Sequence, residues 1–191
     1  MSDMITPKMY KVPEENKFLT EILERGSKIF PLEDLEKVFS CIQCGTCYGA
    51  CPSGRNTAYN VRTILRRCQL GLREEALNDD ALWNCTTCYT CQERCPREVM
   101  STDIIRLVRN IAFEEGYVKK PHLIVCRNFL EIGHAIPLGD AHKEKRSRLG
   151  LSPIPPTTLS HSKALDEINI LSKETGFSEK VLILLGGKKN E

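Results

Sequence analysis

Two runs of cysteine dominate the chemistry available to this chain. Residues 41–52 read CIQCGTCYGACP and residues 85–96 read CTTCYTCQERCP, so both follow CxxCxxCxxxCP, and together they take eight of the ten cysteines. Three thiolates separated by two-residue gaps can wrap three corners of an iron–sulfur cube within one tight loop. Gly45 and Gly49 can adopt backbone conformations closed to other residues, and the proline after the fourth cysteine fixes that thiolate's backbone direction. In the bacterial-type arrangement the first three cysteines of a run bind one [4Fe–4S] cluster and the fourth reaches across to the other. The expected ligand sets are therefore Cys41, Cys44, Cys47 and Cys95 for one cluster, and Cys85, Cys88, Cys91 and Cys51 for the other. Such crossing lets metal bonds replace part of a hydrophobic core, so removing iron is expected to unfold the unit. Four-thiolate ligation leaves no iron vacant for a substrate, which points to electron transfer with no catalytic residue on this chain.

Two rival uses of cysteine fit less well. Structural zinc sites also use CxxC pairs but separate two pairs by a longer loop. A disulfide framework needs an oxidising compartment. The N-terminus lacks the apolar stretch of a signal peptide, and the longest aliphatic run, at 181–185, is far too short to span a bilayer, so a cytoplasmic protein with no membrane contact is expected. A net charge of +2, with 41% hydrophobic and 27% charged residues, indicates neither disorder nor nucleic-acid binding. No glycine-rich nucleotide fingerprint is present, so neither flavin nor nicotinamide is expected to bind here.

The elements that must position the cysteines are predicted to be helices. Phe18, Leu19, Ile22 and Leu23 fall at helical spacing before Gly26, and Leu32, Leu35, Val38 and Phe39 repeat the pattern just ahead of Cys41. Between the runs Ala58, Val61, Ile64, Leu65 and Cys68 form one apolar stripe, and a short helix is predicted over 74–82. Ile104, Ile105, Leu107, Val108, Ile111 and Ala112 line a longer helix whose start Ser101, Thr102 or Asp103 can cap. Another helix is predicted over 121–132. The long helical spacer between the runs differs from the β-hairpins of small bacterial ferredoxins. The expected fold is mainly α: an α-helical ferredoxin domain with two [4Fe–4S] clusters over 30–116, an N-terminal arm over 1–29 and a C-terminal extension over 117–191. In that extension the basic residues Lys143, Lys145, Arg146 and Arg148 and the prolines 153, 155 and 156 predict extended backbone. A last helix over 161–175 and a short strand over 181–185 follow, ahead of a polar tail over 186–191. An isolated strand needs a partner, either elsewhere in the chain or at a sheet edge of another protein.

Other residues have plainer explanations beside any functional one. Cys68 and Cys126 sit on apolar helical faces, where a small thiol packs well. Arg55, Arg62, Arg66, Arg67 and Arg73 either offset cluster charge, meet an acidic partner, or line a solvated face. Tyr48, Tyr89 and Trp83 flank the cysteine loops, where rings can exclude water or simply pack. His122, His134, His142 and His161 have no paired ligand spacing.

The wording around the cysteines resembles a known family. The segments CIQCGTCYGACPSGRNTAYNVR (41–62) and WNCTTCYTCQERCPREV (83–99), with RNIAFEEG (109–116), FLEIGHAIP (129–137) and LGLSPIPPTT (149–158), resemble the iron–sulfur C subunit of the CoB–CoM heterodisulfide reductase of methanogenic archaea. The resemblance covers most of the chain. It implies an oxidoreductase complex in which a flavin-containing subunit splits electron pairs and the iron–sulfur subunit passes single electrons to a catalytic one. The catalytic subunit reduces the disulfide of coenzyme M and coenzyme B in methanogenesis, with electrons supplied by a hydrogenase or formate dehydrogenase. The Cys-Cys-Gly motifs attributed to the catalytic subunit have no counterpart here. The alternative is an iron–sulfur protein serving succinate, glycerol-3-phosphate or lactate oxidation. Such relatives commonly carry a plant-type ferredoxin domain or a fused cysteine-rich domain, and neither is present in this sequence.

Overall fold

The computed structural model describes residues 16–161 and 163–186. Residues 1–15 of the expected N-terminal arm and 187–191 of the expected polar tail lie outside them. Among the described residues every regular element is helical. The chain divides into two compact units, Met1–Tyr117 and Val118–Glu191.

The first unit contains α1 (Lys17–Gly26), α2 (Leu32–Glu36), α3 (Thr46–Gly49), α4 (Val61–Leu70), α5 (Arg73–Leu77), α6 (Thr90–Glu93) and α7 (Ser101–Glu115). Single 3-10 turns at Lys37–Ser40 and Asp80–Asn84 lead into the two cysteine runs. The long helix α7 is the axis of this unit, packing on α1, α4, α5 and α6. Its Ile104, Ile105, Val108, Ile111 and Ala112 are fully buried, and each large aliphatic contributes about 1.5–3 kcal/mol when removed from water. The helix of the expected N-terminal arm supplies Phe18, Leu19, Ile22 and Leu23 to that same core. Asn16 explains its anchorage. The Asn16 side-chain oxygen accepts from Leu19 N at 3.0 Å and starts α1, while its amide donates to the Cys68 and Gln69 carbonyls at 3.0 and 2.8 Å, closing the end of α4.

The helix predicted over 74–82 is broken in two. Asp79 accepts from Ala81 N at 2.8 Å, and this local cap competes with continuation of α5, so a 3-10 turn carries the chain to Cys85.

The second unit holds α8 (Lys120–Ile132), α9 (Asp140–Arg148), α10 (Ala164–Glu174) and α11 (Phe177–Leu184), with a 3-10 turn at Thr158–Ser160. Helices α8, α10 and α11 pack on one another, and the Phe129 and Phe177 rings meet edge to face with centroids 6.2 Å apart. Two expectations are corrected here. The basic residues from Lys143 to Arg148 form the end of helix α9, supported by Asp140–Lys143 and Glu144–Arg148 ion pairs at helical spacing; only the following proline segment is irregular. The predicted strand over 181–185 is the end of α11 and its cap, with Val181 fully buried and Leu182 and Leu185 exposed. A short aliphatic run satisfies either period, and here it continues a helix that starts directly after Gly176 and packs against two others. The pairing of such a strand with a partner's sheet edge falls with it.

Candidate functional site

Each cysteine run folds as the same small unit. Cys41 and Cys85 lie in extended backbone at the ends of their 3-10 turns, and each run passes into one turn of helix, α3 or α6. Every two-residue gap between the first three cysteines holds one left-handed residue: Gln43 (φ 56°) and Gly45 (φ 84°) in the first loop, Thr87 (φ 52°) and Tyr89 (φ 62°) in the second. Repeated reversals of this kind let so short a loop curl around a volume. Glycine takes this conformation without steric cost, whereas at Tyr89 it costs about 1–2 kcal/mol. The Tyr89 hydroxyl offsets that strain by donating to Asp103 at 2.9 Å and accepting from Arg106 at 2.8 Å. Asp103, buried at the start of α7, also accepts from Gln92 Nε2 at 3.1 Å, so α7 holds the second loop through a charged network.

The two runs are stitched together crosswise. Arg97 lies two residues after Cys95; its Nε donates to the Ser40 carbonyl at 3.2 Å, and the Ser40 hydroxyl donates back to the Arg97 carbonyl at 3.4 Å. Ser53 lies two residues after Cys51, and its hydroxyl donates to the Asn84 carbonyl at 2.6 Å. Ser40 and Asn84 immediately precede Cys41 and Cys85. The start of each run is thus bonded to the end of the other.

The sulfurs group accordingly. Cys41, Cys44, Cys47 and Cys95 line one cavity together with Arg62 and Val99. The Cys91 thiol feels the charges of Cys85, Cys51 and Cys88, and buried Tyr59 faces Cys85, Cys91 and Cys51. Cys47 feels Cys91 as well as Cys41 and Cys44, so the two groups adjoin. Helices α3 and α6, which carry these two residues, pack on each other.

Electrostatics separate the rim from the interior. Burial pushes the Cys47 thiol up to about 11, and the charges of neighbouring cysteines add to the rise. Burial raises Cys91 too, against the opposing effect of a 3.3 Å hydrogen bond with the Thr102 hydroxyl. Exposed Cys44 and Cys88 are lowered, first by the Thr46 and Thr90 hydroxyls at 3.4 Å, and Arg62 adds positive charge beside Cys44. Several thiolates in so small a volume repel one another, so the donor set suits a compact, positively charged metal group. Among the described residues no three His, Cys, Asp or Glu converge on a position for one metal ion. The sulfurs border a volume, which suits a cube that takes one thiolate at each of four corners.

The remaining sequence candidates divide. Arg67 pairs with Asp79, and Arg73 pairs with Glu21 and Glu115 at 3.0 and 2.8 Å, so these two are structural ties between helices. Arg62 alone of the stretch lines the first cavity. Trp83 Nε1 donates to the Tyr117 carbonyl at 3.1 Å, and Arg109 stacks over its ring while bonding the Leu82 and Cys85 carbonyls at 3.0 and 2.7 Å. Trp83 therefore helps hold the entry to the second loop. Cys68 is fully buried inside the helical core, and Cys126 is half-buried on α8 in the second unit. His134 and His142 bond Thr157 and Gly139, also in the second unit. Sequence reasoning missed Ser53, Tyr59 and the threonine beside the second cysteine of each loop; it offered Thr102 and Asp103 as caps of α7, but Met100 is the N-cap and those two side chains bond the second cysteine loop instead. Comparing the two runs position by position would have exposed the paired threonines: Thr46 and Thr90 occupy the same place in both.

Comparison with known proteins bears on the same residues. The 4Fe-4S dicluster domain family model matches residues 37–99. The chain is 42% identical over 181 residues to the iron–sulfur C subunit of the CoB–CoM heterodisulfide reductase of Methanopyrus kandleri, covering 93% of this chain and 94% of the relative. It is 42% identical to the C2 subunit of the H(2)/formate:CoB-CoM heterodisulfide,ferredoxin reductase of Methanococcus maripaludis, over 91% of this chain and 94% of that one. With the C subunit of the Ferredoxin:CoB-CoM heterodisulfide reductase of Methanosarcina mazei it shares 49% identity over 74% of this chain and 88% of the relative.

Proposed function

The chain belongs to the family of iron–sulfur C subunits of heterodisulfide reductase, and from that premise we propose that it relays single electrons through two [4Fe–4S] clusters. The electrons pass from a flavin-containing subunit to the catalytic one, which reduces the disulfide joining coenzyme M and coenzyme B. In this reading Cys41, Cys44, Cys47 and Cys95 hold one cluster, and Cys85, Cys88, Cys91 and Cys51 hold the other. The observation that carries it is the crosswise stitching of the runs: the cavity bordered by three cysteines of the first run takes in the fourth cysteine of the second. A cluster with four thiolates accepts and releases one electron at a time and offers no vacant iron to a substrate.

The residues of this chain supply placement. The left-handed loop residues curl each run, Thr46 and Thr90 hydrogen-bond the outer thiols, and the α3–α6 contact brings Cys47 close to Cys91 so that electrons have a short path between centres. Disulfide chemistry then belongs to the partner, and this chain is the non-catalytic electron-transfer component of the complex. The relatives' names couple the reaction to hydrogen, formate or ferredoxin. We assign the donor to the assembly, a hydrogenase or formate dehydrogenase module, and not to this chain.

Anaerobically purified protein should contain about eight iron and eight acid-labile sulfide per chain, the content of two cubanes. Cys95→Ser should abolish or convert the cluster of Cys41, Cys44 and Cys47 in reduced-state EPR and leave its neighbour much less affected. Damage confined to the neighbour would refute the crossed ligation.

A further inference from the structure

Tyr59 buries its hydroxyl beside the Cys85 thiol. The residue is 2% exposed, and among the described residues its oxygen is the one buried side-chain polar atom without a hydrogen-bond partner. Cores rarely tolerate such an orphan, because its bonds to water are lost and nothing replaces them. The groups that face it are Cys85, Cys91 and Cys51, three of the four thiols assigned to one cluster. Its backbone is held as well: Tyr59 N donates to the Thr57 hydroxyl at 3.1 Å, and a Cβ added at Gly54 would meet the Tyr59 carbonyl oxygen at 2.9 Å.

The other centre has no equivalent. Tyr59 immediately precedes Asn60, the N-cap of α4, and Val99 immediately precedes Met100, the N-cap of α7. Val99 lines the cavity of Cys41, Cys44, Cys47 and Cys95, and it has no side-chain donor to offer. The two halves of the repeat thus present a phenol to one group of thiols and an isopropyl group to the other. Other donors reach both groups: Gly54 N lies 3.3 Å from Cys51 Sγ and the Thr102 hydroxyl 3.3 Å from Cys91 Sγ, while on the other side Gln43 Nε2 lies 3.5 Å from Cys41 Sγ and Arg62 lines the cavity.

We propose that the Tyr59 hydroxyl donates a hydrogen bond to the sulfurs of the centre held by Cys85, Cys88, Cys91 and Cys51, and so raises its reduction potential. The inference rests on the ligation proposed above. Reduction adds one electron, and hence one negative charge, to a site already bordered by thiolates; Tyr59 keeps its proton throughout. A donor aimed at sulfur stabilises the more negative state more than the less negative one, which raises the potential.

The test is an EPR-monitored redox titration of full-length protein after iron and sulfide analysis, comparing wild type with Tyr59→Phe. Tyr59→Phe should keep both clusters and weaken electron affinity at one of them about tenfold, a fall of about 59 mV for a one-electron couple, with the other midpoint unchanged. The affected signal should be the one that Cys88→Ser also alters. Should the phenylalanine variant fail to load, 3-fluorotyrosine at position 59 decides, because its more acidic hydroxyl should raise that same midpoint. Two intact clusters with unmoved midpoints in either protein, or movement only at the Cys41 side, would overturn the role of Tyr59 while leaving the ligation standing. Wild-type protein without two clusters would overturn the ligation and this proposal together.

Discussion

Ten thiols in one chain meet very different surroundings, and those surroundings sort them into roles. Cys44 and Cys88 are exposed and have their ionised forms favoured by the neighbouring threonine hydroxyls, so they are the accessible corners of their loops. Cys68 is the opposite case, since burial pushes its thiol up to about 12 against about 8.5 in an unfolded chain. A raised folded value means that the neutral thiol is the form the fold prefers. Its stabilising contribution is complete below the unfolded value and is lost as pH rises toward the folded one. Iodoacetamide at about pH 9, where an unfolded cysteine is largely ionised, should therefore leave Cys68 unmodified in the folded protein and alkylate it readily after denaturation. Peptide mass spectrometry reads the outcome, and equal labelling in both states would contradict the buried assignment. This residue was predicted to sit on an apolar helical face; what the sequence withheld was how completely the other helices close over it.

At the scale of elements, the cysteine loops are only as well placed as the helices behind them, and Asn16 is where two helices share one side chain. It begins α1, it satisfies two carbonyls at the end of α4, and it packs against Gly71, whose left-handed backbone (φ 71°) ends that helix. Asn16→Ala removes the cap of α1 and takes the side-chain donor away from the Gln69 and Cys68 carbonyls, of which Cys68 keeps Gly71 N. We expect a loss of about 2–4 kcal/mol in chemical unfolding of the loaded protein. A loss below about 0.5 kcal/mol, the usual range for a neutral surface position, would show that α1 is held by its apolar face alone. Periodicity found α1, α4 and α7 because each carries a sustained apolar stripe. It overextended α5, where Asp79 stops the helix, and it misassigned 181–185, where five aliphatic residues satisfy either period.

Across the whole molecule the two units differ in how they hold themselves together. Unit 1 buries a continuous core of helix faces and thiols. Among the described residues of unit 2 the apolar positions below a tenth exposed are Leu123 and Val181, while Ile136 is 70% exposed, Leu149 76%, Ile170 61% and Leu171 64%. So little burial gives weak protection against local opening. In the isolated protein, amide hydrogen exchange should be faster over 118–186 than over the helices of unit 1, and assembly into the proposed complex should slow it. Equal protection of both units in isolation would show that unit 2 is self-sufficient. No described helix is long and apolar enough to cross a membrane, so these exposed side chains belong to no spanning helix.

The sequence by itself determined the cofactor class, the repeated loop chemistry and the helical character of the domain, because thiolate spacing and apolar periodicity are local properties read along the chain. It also placed the end of α1 at Gly26, whereas the expected caps Ser101, Thr102 and Asp103 lie inside α7, which starts after Met100. The crossed pairing of the fourth cysteines is an expectation of the motif; what only the tertiary structure shows is that Ser40 meets Arg97 and Ser53 meets Asn84 across the fold. The same holds for Tyr59. Nothing near it in sequence says that its buried hydroxyl lies beside Cys85 and Cys91 of the second run as well as Cys51 of the first.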